Sequence, residues 1–154
     1  MRQWPRALGE GLCLLMLAAL SPAASAQASA DGKTLFGQHC APCHQPDASG
    51  TIGLAPPLKG EHWARLGAAR HYLPTVVTHG LSGPIQLGSL RFVGNMPAFA
   101  QLNDADLAAI VTHLRGLQGA GQDAPYTEAE IARVRALPGG PPQTRTLRQQ
   151  LIGP

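Results

Sequence analysis

Two cysteines and two histidines fall within six residues, His39-Cys40-Ala41-Pro42-Cys43-His44. Thiols three positions apart, with an imidazole next in line, suit four chemistries: half of a zinc site, a redox-active dithiol, a structural disulfide, or the covalent attachment of a prosthetic group. Zinc needs a second pair of ligands, usually two more cysteines or two closely spaced histidines. The remaining cysteine, Cys13, sits in an N-terminal apolar run, and His62 and His71 are too far apart for that pattern. A thioredoxin-like dithiol calls for a βαβ unit, and no strand is readable before the motif. A disulfide here closes a tiny loop, removes little unfolded-state entropy, and leaves His44 without a role.

Attachment of a haem uses all three residues. C-x-x-C-H is the spacing of c-type haem sites. Two thiols one turn apart can each add to a vinyl group on one porphyrin edge, and His44 is then carried beneath the iron, where its Nε2 can ligate. Met/His ligation is typical of electron-transfer cytochromes and raises the potential. Met1 and Met16 fall in the N-terminal segment expected to be removed as a leader, so Met96, before Pro97, is the candidate for the second axial position. The competing reading is a gap-filling core methionine. His39, His62, His71, His79 and His113 are weaker candidates for the same place and suit surface or capping roles better.

The elements that must position these groups are mostly helical. Asp31 precedes a short helix in which Gly32 and Phe36 share a face at i, i+4 spacing. A loop of small and turn-forming residues runs from His44 to Gly60. A helix is expected over residues 71–79, with Pro74 in its first turn and Gly80 as its stop. Residues 80–99 read as a glycine-punctuated loop with a small hairpin. Asn103 and Asp106 then open the clearest helix, whose apolar face is Leu107, Ile110, Val111 and Leu114. A weaker helix begins at Thr127 and Glu130, in capping-box spacing. The Pro-, Gly-, Gln- and Arg-rich remainder is expected to be mobile or partner-dependent.

The chain has 154 residues and a formal charge of +3, with its basic residues scattered. That suits one domain of modest core and is not the footprint of a nucleic-acid binder. Aromatics make up only 5 %, so a cofactor would supply bulk that the core lacks. Arg2 and Arg6, the run Leu12–Leu20 and Ala24-Ser25-Ala26 form a secretory signal pattern. Cleavage is expected after Ala26, with Ala30 as the alternative, giving a leader over 1–26. The run is too short to span a bilayer, which takes about 20 residues. Losing Arg2, Arg6 and Glu10 leaves ten basic and eight acidic residues, so the mature charge is about +2.

In order along the chain, Asp31–His44, Ala55–Gly60, Gly94–Phe99 and Leu102–Arg115 resemble the class I mono-haem c-type cytochromes. The resemblance covers roughly residues 30–117. It implies an all-α, small cytochrome c fold with three to five helices around one covalently bound haem. The cytochrome domain would be 27–121 and a C-terminal extension 122–154, with one weak helix and a mobile tail. By the same resemblance Cys40 and Cys43 carry the thioethers, and His44 and Met96 ligate iron. The Pro56 carbonyl accepts a hydrogen bond from the proximal imidazole, Leu58 packs on the haem, and Gly32 and Phe36 cross the C-terminal helix. His113 stands where the family usually has an aromatic.

The function so implied is one-electron transfer on haem c between periplasmic redox proteins such as a dehydrogenase or a terminal oxidase. The protein would be an exported carrier, not an enzyme, with no transmembrane segment after signal cleavage. A second reading is a haem c gas sensor or peroxidase-like site with a displaceable methionine. A third is a carrier fixed as a subunit of a larger complex, with the basic tail (Arg133, Arg135, Arg145 and Arg148) as a docking element or simply a solvated one.

Overall fold

The computed structural model describes Met1 and residues 31–153; the expected signal peptide and Cys13 lie outside these. Asp31 caps helix α1 (Gly32–His39), its carboxylate accepting from the Thr34 N–H at 3.3 Å. A one-turn α2 (Ala41–His44) follows directly, with Pro42 in its first turn, where a missing N–H does no harm. Next come α3 (His62–Ala68) and α4 (Tyr72–His79), then strands β1 (Leu81–Ser82), β2 (Ile85–Leu87), β3 (Leu90–Phe92) and β4 (Asn95–Met96). Helices α5 (Asp104–Leu117), α6 (Glu128–Arg135) and α7 (Pro141–Ile152) complete the chain.

Seven helices are thus present among the described residues, more than the three to five expected. Beyond the four helices read from the sequence, α2 is the single turn of the attachment motif, and α3 and α7 have no expected counterpart. Only Trp63 and Leu66 of the seven-residue α3 are buried, too few to print a helical period. In α7 the prolines that suggest disorder sit in the first turn, where proline is favoured. Thr144 and Arg148 are buried on it, and Leu147 and Leu151 pack on the core. That is one face at i, i+3, i+4, i+7 spacing. The expected mobile tail is therefore a helix laid against α3, α4 and β1.

The frame is the crossing of α1 over α5. Asn103 caps α5, accepting from the Asp106 N–H at 2.7 Å, and the buried face of Leu107, Ile110, Val111 and Leu114 follows. A Cβ on Gly32 would lie 2.2 Å from the Ala109 carbonyl oxygen. Only glycine lets the two backbones come this close. One turn on, the buried Phe36 ring meets the His113 ring at 5.5 Å between centroids. Burial holds the His113 imidazole below its ordinary value, so it packs as a neutral ring in place of the aromatic expected there.

Strands β1 and β4 pair antiparallel, and between them β2 pairs with β3, so residues 81–96 form a hairpin nested within a hairpin. The α6 end is fixed by Arg70. Its guanidinium donates to Glu130 and to the carbonyls of Ala124 and Pro125, and it lies 4.0 Å over the Tyr126 ring. Thr127 and Glu130 form a complete capping box.

Two outcomes follow from this packing. Gly32→Ala should cost the holoprotein about 1–3 kcal/mol in denaturant unfolding through overpacking. Gly37→Ala, whose Cβ meets nothing within 4 Å, should gain about 0.5–1 kcal/mol from helix propensity; equal effects at the two sites would contradict the crossing. The Arg70 guanidinium, with help from Thr127, holds the Glu130 carboxyl at about 2, below its ordinary 4.5. A depressed carboxylate stabilises the fold above its unfolded pKa and loses that contribution as pH falls through the folded one. Glu130→Gln should therefore be less stable to urea than the parent at pH 6, with the gap narrowing as pH falls from 4.5 toward 2. A gap unchanged by pH would contradict the ion pair's role.

Candidate haem-binding site

The C-cap of α1 is Cys40, whose N–H donates to the Phe36 carbonyl at 2.9 Å. The chain then turns through α2 without a break, the His44 N–H donating to the Cys40 carbonyl at 2.9 Å. One turn thus carries both thiols and the imidazole. Cys40 is buried and Cys43 exposed, and they are not joined as a disulfide. Burial, with Cys43 beside it, pushes the Cys40 thiol up to about 12, so it stays protonated in the apolar wall.

His44 is 5 % exposed. Its Nδ1 donates to the Pro56 carbonyl at 2.9 Å. A carbonyl can only accept, so the proton is on Nδ1 and the Nε2 lone pair is free. Burial holds this imidazole below its ordinary value, against the pull of the Pro56 carbonyl, and the ring is neutral at pH 7. The loop that brings Pro56 into reach is tied back on itself. The Gly50 N–H donates to the His44 carbonyl at 2.8 Å, the Leu58 N–H to the Ala48 carbonyl at 2.9 Å, and Thr51 Oγ1 to the Cys43 carbonyl at 2.8 Å. Lys59 pairs with Asp47 at 2.8 Å across the same loop.

Met96 arrives from the other part of the chain. It pairs with Leu81 in the β1–β4 ladder. Gly80, at φ 76°, ends α4, and a Cβ there would lie 2.7 Å from the Met96 carbonyl oxygen. The strand that carries the thioether therefore rests on a glycine. Beyond Pro97 the chain is pinned by the Phe99 N–H donating to the Val77 carbonyl at 2.9 Å.

Cys40, Cys43, His44, Pro56, Leu58 and Met96 all line one cavity of ≈ 270 Å³. Its other walls are mainly apolar and include Leu81, Ile85, Phe92 and Phe99. Among the five other histidines, His39 and His62 also line it, whereas His71, His79 and His113 do not. His62 Nε2 is engaged with the Pro57 carbonyl at 3.3 Å, and His79 Nε2 with the Val134 carbonyl at 3.1 Å. Among the described residues no three of His, Cys, Asp and Glu gather as a metal cluster, so a zinc reading lacks its second pair of ligands.

Among the cavity residues not anticipated are Trp63 on α3, Tyr72 on α4 and Arg148 on α7. Trp63 Nε1 donates to the Pro57 carbonyl at 3.2 Å, holding the proline loop from its far side. For Trp63 and Arg148 the available signal was weak, a buried stripe on a helix too short or too polar to stand out; Tyr72 sits on an expected helix whose inward face carried no mark of the cavity.

The donor set suits a haem. Two thiols sit on one turn, a neutral buried imidazole has a free Nε2, and a thioether reaches the same apolar slot. The Cytochrome c family matches residues 29–118, which include every one of these groups. Over 133 residues the chain is 36 % identical to cytochrome c-552 of Thermus thermophilus, covering 82 % of this chain and 88 % of that protein. It is 34 % identical over 94 residues to the Cbb3-type cytochrome c oxidase subunit FixP of Azorhizobium caulinodans, covering 60 % of this chain and 30 % of that subunit. It is 31 % identical over 112 residues to the gluconate 2-dehydrogenase cytochrome c subunit of Pantoea cypripedii, covering 70 % of this chain and 24 % of that subunit. The matched segment runs from α1 through α5 and carries all four of these donors, and the chain belongs to the cytochrome c family: it is a class I c-type cytochrome, an electron-transfer protein with a covalently bound haem c.

Proposed function

We propose that this cytochrome carries single electrons between periplasmic redox partners on an iron ligated by His44 Nε2 and Met96 Sδ. The observation that carries the reading is that a buried imidazole with its Nδ1 already engaged and the only methionine of residues 31–153 line the same cavity. A haem held there supplies a one-electron Fe(III)/Fe(II) couple. The chain's own groups decide how that couple behaves. Cys40 and Cys43 hold the porphyrin edge through thioethers. The Pro56 carbonyl fixes the His44 ring and raises its basicity. Met96 brings a soft ligand that favours the reduced state. Leu58 and the apolar walls keep water from the metal.

A haem held by both His44 and Met96 would leave its iron no open position for a substrate. The distal surroundings agree. Phe92, Pro97 and Phe99 line the cavity with Met96, an apolar set that suits shielding of the metal better than catalysis. That favours carriage over the sensor or peroxidase reading.

The exit for electrons is the cavity mouth. Cys43 is exposed, and Leu54 and Val93 line the cavity while remaining 55 % and 68 % exposed. An apolar collar of this kind suits small, short-lived contacts. The mild charge agrees, since two haem propionates nearly offset a mature excess of about +2. The named relatives point to a dehydrogenase or a terminal oxidase as the partner class, and the N-terminal signal pattern to the periplasm. Among the described residues no helix is long and apolar enough to cross a membrane.

Optical spectra of the purified holoprotein test the ligand set. The parent should be low-spin, with the weak red band of Met–Fe(III). Met96→Ala should lose that band, bind CO, and show a midpoint potential lower by tens to hundreds of millivolts, within the ≈ 0.8 V span that axial ligands command. A variant with the parent's spectrum would refute Met96 as ligand, and a high-spin parent that responds to peroxide, CO or NO would favour the rival. The collar can be tested without a partner by electron self-exchange. Placing lysines at Leu54 and Val93 should slow it about tenfold, a like-charge cost of ~1.4 kcal/mol; an unchanged rate would move the exit elsewhere.

A further inference from the structure

The C-terminal helix brings into the cavity one charge that no acidic side chain among the described residues balances. Arg148 is 7 % exposed and lines the cavity. A guanidinium is always charged, and a buried charge without a counter-charge carries a heavy desolvation penalty. The four ion pairs among the described residues are Lys59–Asp47, Arg70–Glu130, Arg115–Asp123 and Arg135–Asp104. None includes Arg148. The sequence has no acidic residue after Glu130, so α7 cannot supply a partner either.

The groups that feel the Arg148 charge are not acids. It lowers the Tyr72 phenol, against the larger upward push of burial, and it adds to the burial that lowers His62. These neighbours come from α4 and α3, the two helices on which α7 packs. His62 Nε2 and Trp63 Nε1 already point at the Pro57 carbonyl. The cavity therefore holds a cation among a phenol, an imidazole and an indole, an arrangement that receives an anion and not one that neutralises a guanidinium.

We propose that Arg148 is the counter-ion of a haem propionate, so that helix α7 of the C-terminal extension forms part of the cofactor's cradle. The proposal rests on the haem reading above. The porphyrin's propionates lie on the edge away from the vinyl-derived carbons. The cysteines belong to the α1–α2 turn and the guanidinium to α7. The guanidinium fork matches a carboxylate with two parallel hydrogen bonds. Tyr72 stands beside it as a further donor to the same oxygens. The extension, which lies beyond the family match at residue 118, thereby acquires a role in setting the charge around the iron.

The test uses the full-length holoprotein. In the parent, with the haem propionate carboxyl carbons labelled with ¹³C, one propionate should stay ionised well below the ordinary carboxylate range. In Arg148→Gln the same signal, and the pH dependence of the midpoint potential linked to it, should move up by about one to three pH units. The potential at pH 7 should fall, because a positive charge that disfavoured Fe(III) is gone. Arg148→Lys should restore most of both shifts. Arg133→Gln, an exposed charge on α6, should change neither. If both parent propionates titrate in the ordinary range, the proposal is overturned, and this arm needs no variant to fold. Normal haem spectra with parent-like titration in Arg148→Gln would overturn it too. A parent without His/Met haem spectra would instead strike at the ligand set, leaving the two failures distinct.

Discussion

The hydrogen bond from His44 Nδ1 to the Pro56 carbonyl is the contact on which the site depends. It assigns the tautomer, turns the ring, and leaves Nε2 with its lone pair in an apolar cavity. Without it a buried imidazole would be free to rotate or to flip its proton, and the nitrogen facing the metal would be unspecified. The bond in turn requires a loop of twelve residues to fold back upon the attachment turn. That loop is held by backbone hydrogen bonds at Gly50 and Leu58, by Thr51, and by the Trp63 indole behind Pro57. A proline carbonyl in a tied loop is a fixed acceptor with little freedom of its own.

The rest of the molecule divides into a frame and a closure. The frame is the α1–α5 crossing, where Gly32 lets two helical backbones approach and so fixes the attachment turn that follows α1. The closure is the nested hairpin of residues 81–96, which places Met96 over a strand pair resting on Gly80. Helices α6 and α7 add a second layer. Arg70 ties α6 to the chain before α4, and α7 covers α3, α4 and β1. The extension is thus packed on the same core as the cytochrome domain and contributes Arg148 to its cavity.

Legibility followed the range of the interactions. Attachment chemistry is local, so Cys40, Cys43 and His44 could be read from five adjacent residues. The caps of α5 and α6 are local as well, and Asn103–Asp106 and Thr127–Glu130 announced them. Met96 became a candidate only by elimination, because no short pattern distinguishes a ligand from a core methionine; the structure places it in the cavity wall. Pro56 and Leu58 came from the family resemblance, since a carbonyl's partner twelve residues away leaves no periodic trace. The proline-rich end misled because composition was weighed without position: Pro141 and Pro142 begin a helix instead of preventing one. Arg148 was read only as part of a basic tail, to dock or to be solvated, whereas it is buried in the cavity wall. Its meaning lies in an imbalance of charge within a cavity whose walls are more than a hundred residues apart.

In the proposed ligand set Met96 stands over a haem whose other face is held by His44. Proton NMR of the reduced holoprotein tests it most directly. Low-spin Fe(II) is diamagnetic, and a thioether on iron lies in the shielding cone of the porphyrin. The prediction is a single three-proton resonance far upfield of the protein envelope, assigned to the Met96 ε-methyl. A Met96 methyl at its ordinary position would contradict the account.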